Sequence, residues 1–125
     1  MTNEKHGSGT WTVDNTLQAD ADIKKIVRFI MDREGPDMGE HILNKFEEAK
    51  KGLSTLPWRG RIPPEMERIN VFTYRECQIS PYRMIYEVRE SESRVYVHMV
   101  VDGRRDLPDI MTARLLQSNP GAERL

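Results

Sequence analysis

The chain has 125 residues, and 19 lysine and arginine side chains against 20 aspartates and glutamates leave it a formal net charge of −1. Such a length makes about one domain with its own core, and the balanced charge argues against broad, salt-driven wrapping of nucleic acid. No run approaches the ~18 consecutive apolar residues of a membrane span, residues 1–9 lack the apolar stretch of a secretory signal, and the single cysteine, Cys77, excludes an internal disulfide framework and suits a reducing cytoplasm.

Residues 1–9 are polar and read as a disordered arm. Thr10–Val13 is β-branched and aromatic and stops at Asp14-Asn15, which predicts one short strand. From Ala19 the apolar residues Ile23, Ile26, Val27 and Ile30 keep the spacing of one helix face, with Asp20 or Asp22 available to cap the start. Glu34-Gly35-Pro36-Asp37 ends that helix, since glycine takes the left-handed position and proline cannot continue the ladder. Pro36 then suits the first turn of a second helix. In it Ile42, Phe46, Ala49, Leu53 and Leu56 step by four and three, the spacing of a seam against one neighbour. A four-residue connection between them makes an antiparallel helical hairpin.

Pro57–Pro64 is a basic, proline-rich loop carrying Arg59 and Arg61. Ile69–Ile79 then predicts a strand, distorted near Tyr74-Arg75-Glu76. In the next strand Tyr82, Met84, Tyr86 and Val88 share one face, and Arg83, Ile85 and Glu87 the other. Glu90–Ser93 closes a hairpin. The last strand sends Val95, Val97, Met99 and Val101 to one side and Tyr96, His98, Val100 and Asp102 to the opposite side. Asp106 and Pro108 open a short terminal helix through about Leu116. The fold class is therefore α+β: a short N-terminal strand, a helical hairpin packed on a mainly antiparallel sheet, and a short C-terminal helix. The expected core joins Ile26, Ile30, Phe46, Leu53, Met84, Tyr86, Val97 and Met99. One domain is expected over residues 10–117, with a flexible tail at 118–125.

Candidate chemistry concentrates in the second half. All the lysines lie in the first half, and from Trp58 onward every cation other than histidine is arginine, the side chain of planar, bidentate recognition. The sheet thus offers cations in a fixed geometry at Arg83, Arg104 and Arg105, although Arg83 could equally pair with Glu76 or Glu87, and Arg104 or Arg105 with Asp102 or Asp109. Conventional enzyme sites are excluded. The glycines are too scattered for a phosphate loop, and His6, His41 and His98 are isolated from metal-ligand spacing. His98 reads as a structural histidine in mid-strand, and Cys77 as a small strand-face hydrophobe, because a thiolate needs a paired base.

The order of elements, together with Thr73–Glu76 (TYRE), Pro81–Val88 (PYRMIYEV) and the VYVHMVVDGRRDL run ending at Leu107, resembles the RelE/ParE superfamily of type II toxin–antitoxin toxins over roughly residues 10–117. The resemblance implies a small bacterial toxin, encoded for plasmid or locus maintenance, neutralised by a cognate antitoxin in a hetero-oligomer, cytoplasmic and without a metal, cofactor or membrane. Two activities occur in such a family. RelE-like members are similar to ribosome-dependent endoribonucleases, whose arginines map here onto Arg83 and Arg105 with Arg75 as a third. Their strand lysines and terminal-helix aromatic have no counterpart in Ile69–Ile79 or near Met111. ParE-like members inhibit DNA gyrase without chemistry of their own, and the chain resembles these more closely. An inactive member kept for antitoxin binding is a third alternative. Under the favoured reading no residue is catalytic, and Tyr74, Arg75, Tyr82, Arg83, Arg104, Arg105 and Arg114 are expected to contact target or antitoxin.

Overall fold

The computed structural model describes residues 10–118; the expected arm at 1–9 and all but the first residue of the expected tail lie outside them. In chain order the elements are β1 (Thr12–Asn15), α1 (Leu17–Glu34), α2 (Pro36–Thr55), the one-turn α3 (Pro64–Glu67), β2 (Tyr74–Ile79), β3 (Tyr82–Arg89), β4 (Arg94–Asp102) and α4 (Leu107–Ser118). Four strands form one mixed sheet in the order β1-β4-β3-β2, in which β1 runs parallel to β4 and the other neighbours are antiparallel. The α+β class holds.

The hairpin is tighter than its sequence suggests. Thr16, not Asp20 or Asp22, caps α1: its Oγ1 accepts the Ala19 N–H at 3.2 Å. That frees Asp20 to accept from the Asn15 side chain at 2.8 Å and Asp22 to reach the sheet. One residue, Gly35, joins α1 to α2 where four were expected, and its φ of 100° is open only to glycine without strain. Pro36 occupies the first turn of α2 as expected.

The hairpin covers one face of the sheet. Ile23, Ile42, Phe46 and Leu53 meet Met84, Tyr86, Val95, Val97 and Val100, with Ile26 and Ile30 packed against them partly buried. Phe46, Leu53, Met84 and Tyr86 are fully buried. On the opposite face a second, smaller cluster joins Ile85, Met99 and Val101 to Met66 of α3 and to Leu107 and Ile110 of α4.

This second layer corrects the expected parity of β4. Ile85 pairs with Met99 but Tyr86 pairs with Val97, so His98 is an extra residue in β4, a β-bulge. Beyond it every side chain changes side. Val100 joins the hairpin core, and Met99, expected there, goes with Val101 to the outer cluster. The expected strand Ile69–Ile79 is likewise shortened to Tyr74–Ile79. Tyr74 already lies opposite Glu87 and β3 ends at Arg89, so residues 69–71 would extend past the end of their partner. They form a turn instead, closed by Asn70 N–H to Glu67 O at 3.0 Å and Val71 N–H to Met66 O at 2.9 Å.

Candidate functional site

The two arginine motifs meet through their backbones. The Gly103 N–H donates to Pro81 O at 2.8 Å, locking the turn after β4 onto the start of β3. A Cβ at Gly103 would stand 3.0 Å from Pro81 O and 3.5 Å from Arg83 Cγ, so the glycine lets the two segments approach.

Arg83 follows from the alternation of β3: with Tyr82, Met84 and Tyr86 toward the hairpin, its side chain leaves on the other face. It does not reach solvent there. The residue is 7% exposed, its Nε donates to Glu76 Oε1 at 2.5 Å, and its two terminal nitrogens donate to Glu65 at 2.8 and 3.0 Å. Glu76, diagonally across the β2–β3 pair, accepts a further hydrogen bond from Arg61 Nε at 2.7 Å. Two guanidinium and two carboxylate groups therefore close on one another. Hydrogen bonding to Arg83 outweighs burial and holds the Glu65 carboxyl below its usual range, and the two carboxylates raise Arg83 further above its own.

The turn itself presents the accessible cations. Asp102 Oδ1 accepts from the Arg104 N–H at 2.9 Å and from its Nε at 3.0 Å, and Oδ2 accepts from Nη2 at 3.1 Å. These side-chain and backbone hydrogen bonds pull the Asp102 carboxyl down to about 2. Arg104 remains 91% exposed while so held. Arg105 is exposed, and its side chain makes no hydrogen bond or ion pair among the described residues.

The remaining expected site residues spread over three places. Arg75 lies 5.1 Å over the Trp58 ring and donates to Gly60 O at 2.6 Å, so it braces the basic loop. The same loop is held by Tyr86, whose hydroxyl accepts the Gly60 N–H at 2.8 Å and whose pKa burial pushes up to about 12. Tyr82 packs edge-on against Phe46 and Tyr74 edge-on against His98, and burial raises the hydroxyl pKa of both. His98 Nε2 is 2.8 Å from Glu87 Oε1. Arg114 folds back from α4 onto α1, donating to both oxygens of Asp22 at 2.7 and 2.8 Å and to His98 O at 3.2 Å.

The sequence reasoning missed Glu65 and Asp22. For Glu65 a signal existed: Pro64 followed by Glu65 and Glu67 is the composition of a helix first turn, which would have placed a carboxylate opposite the sheet. For Asp22 none existed, because its role depends on the bulge. Among the described residues no group of three or more His, Cys, Asp or Glu side chains is placed to hold a metal ion, and no helix is long and apolar enough to cross a membrane.

Residues 13–107 match the family model of the ParE toxin of the type II toxin–antitoxin system, parDE. The fold is similar to that in the chromosomal ParDE TA system from P. aeruginosa, with a TM-score of 0.60 and 17% identity over 74% of this chain and 96% of that one. It is also similar to that in the toxin–antitoxin complex RelBE2 from Mycobacterium tuberculosis, with a TM-score of 0.53 and 21% identity over 75% of this chain and 92% of that one. At these identities the likeness carries the fold. No curated protein matches the chain in sequence.

Proposed function

The chain belongs to the ParE toxin family of type II toxin–antitoxin systems, and from that premise we propose that it acts in the bacterial cytoplasm as an inhibitor of DNA gyrase, held inactive by a cognate antitoxin. The observation that carries this reading over a ribonuclease is the enclosure of Arg83. A ribonuclease of this fold would use the arginine of the PYR strand to stabilise charge on a reacting phosphate. Here that guanidinium is buried and both of its free edges are taken by carboxylates. A phosphodiester brought to it would meet Glu65 and Glu76 first, and like charge at a few ångströms repels.

An inhibitor that acts by binding needs a rigid surface and no proton transfer. The turn after β4 fits that need, with Arg104 fixed by Asp102 and Arg105 projecting beside it. Arginine on a stiff turn recognises carboxylate or phosphate bidentately with little entropy left to lose. Arg75 and Trp58 on the far side add a stacked aromatic and cation of the kind that dominates protein interfaces.

Two assays with the purified chain test the proposal together. Gyrase supercoiling should fall, with cleaved DNA accumulating, while transcript ends mapped on translating ribosomes stay unchanged. Codon-positioned cuts in mRNA with gyrase unaffected would overturn it, and would move Arg83 and Arg105 from structural and binding roles to catalytic ones.

A further inference from the structure

The arginine turn sits beside the start of β3; at the other end of that strand, past Arg89, the loop after α2 borders a groove of about 450 Å³. Its floor is apolar, made by Trp11, Leu56, Pro57 and Trp58. Leu56 is 60% exposed and Trp58 48%, while Trp11 is buried. Adjacent apolar side chains of this size left open to water mark a surface that meets another molecule. The Trp58 ring is also held in advance, by a T-shaped contact with Trp11 at 6.4 Å between centroids and by the Arg75 guanidinium over it. An indole already fixed in place loses little entropy when it is covered.

The rim carries one charge of each sign. Arg59 and Glu90 are both exposed and both line the groove, yet they do not pair with each other, and neither side chain makes a hydrogen bond or ion pair among the described residues. The neighbouring arginines are engaged: Arg61 by Glu76, and Arg75 by the carbonyls of Trp58 and Gly60. An occupant that satisfies the groove therefore brings an apolar surface, a carboxylate for Arg59 and a cation for Glu90. A nucleic acid brings negative charge alone and would be repelled at Glu90. The groove itself carries the required combination.

We propose that this groove is a self-complementary surface that takes a second copy of the chain across a twofold axis. In that arrangement Arg59 of each copy faces Glu90 of the other, and the exposed Leu56 and Trp58 side chains close over one another between the two ion pairs. The apolar contact supplies the attraction, and the charges fix the register. One loop and one turn from each copy make a small interface, so the association is weak and belongs to micromolar rather than nanomolar concentrations. The inference goes beyond the gyrase reading and stands without it; where both hold, dimerisation covers Trp58 and withholds it from the target.

Sedimentation velocity on the full chain over a concentration series tests this directly, and the wild type should pass from monomer to dimer. Arg59→Glu and Glu90→Arg are surface changes that each set like charges together at both contacts, and each should weaken dimerisation by roughly tenfold at low salt, less at high salt. An equimolar mixture of the two single variants should associate like the wild type, because every contact then pairs opposite charges again. A role of either residue within its own chain would not be rescued by mixing. Weakening without that rescue would overturn the proposal, and so would a dimer indifferent to both variants. A wild-type chain that stays monomeric would overturn it as well: shielding of Trp58 fluorescence from acrylamide would then assign the groove to residues 1–9, and free quenching would leave it to a different protein.

Discussion

At Arg83 a guanidinium that could have faced a phosphate faces two carboxylates instead, and the consequences are thermodynamic. Removing one member of a buried ion pair leaves an uncompensated charge, which costs about 3–5 kcal/mol. Arg83→Ala should therefore lower the unfolding free energy extrapolated from urea titration by that amount, and substitution of the exposed Arg105 should leave it within about 0.5 kcal/mol. Acid should act at the same point. Glu65 has a folded pKa below its unfolded value, so its contribution is fully present above the unfolded pKa, about 4.3, and is lost as pH falls through the folded value. Wild-type stability should drop on acidification through this window more steeply than that of Glu65→Gln. Parallel pH profiles for the two proteins would show that Glu65 is not a source of acid lability.

At the scale of elements, the bulge in β4 decides the layout. It leaves one strand edge with a carbonyl at His98 and an N–H at Val100 that no strand receives. Asp22 and Arg114 take both while pairing with each other. Asp22→Ala would strip the Val100 N–H and the Arg114 guanidinium together, each part-buried, and should cost about 2–4 kcal/mol. The change is readable in a thermal melt, and Arg114→Ala combined with Asp22→Ala should cost less than the sum of the singles because they share one network. Phe46→Ala in the hairpin should cost about 3–5 kcal/mol, as Phe46 is fully buried. The two hairpin helices, α4, β3 and the turn at Gly103 were legible in the sequence because each rests on a local period or on one residue's backbone preference, whereas the one-turn α3 was not. Met99 was assigned to the wrong face because a strict alternation has no way to register one inserted residue. Ile69 and Phe72 have strand propensity yet lie exposed, because propensity says nothing of whether a partner strand reaches that far. The arginines were legible as a set, but their partners were not. Glu65, 18 residues away in sequence from Arg83, meets it only once α3 and the sheet are both in place.

Across the whole molecule the two faces of the sheet are unequally secured. The inner face is closed by the two long helices of the hairpin over the fully buried Phe46, Leu53, Met84 and Tyr86. The outer face is closed by one helical turn and the 12-residue α4, with Leu107, Ile110 and Met66 over Ile85, Met99 and Val101. Such a layer should open before the whole chain does, since local stability follows the apolar contacts each element holds. Hydrogen exchange at neutral pH should show α4 and α3 opening at lower free energy than α2 and the paired stretch of β4 from Val95 to Val97. Leu107→Ala, at a fully buried position of the outer layer, should cost about 2–5 kcal/mol and widen that gap, because it loosens α4 without touching the hairpin core. Uniform exchange across both layers would instead make the protein a single cooperative unit. An outer layer that opens alone has a functional meaning: α4 would be movable on a rigid hairpin-and-sheet base, while the arginine turn before it stays locked to Pro81 through the Gly103 N–H. An antitoxin that binds across this layer would then both cover the turn and raise the apparent stability by mass action, so the exchange of α4 should slow in the complex, and that of α2, which opens only with the whole chain, should slow with it.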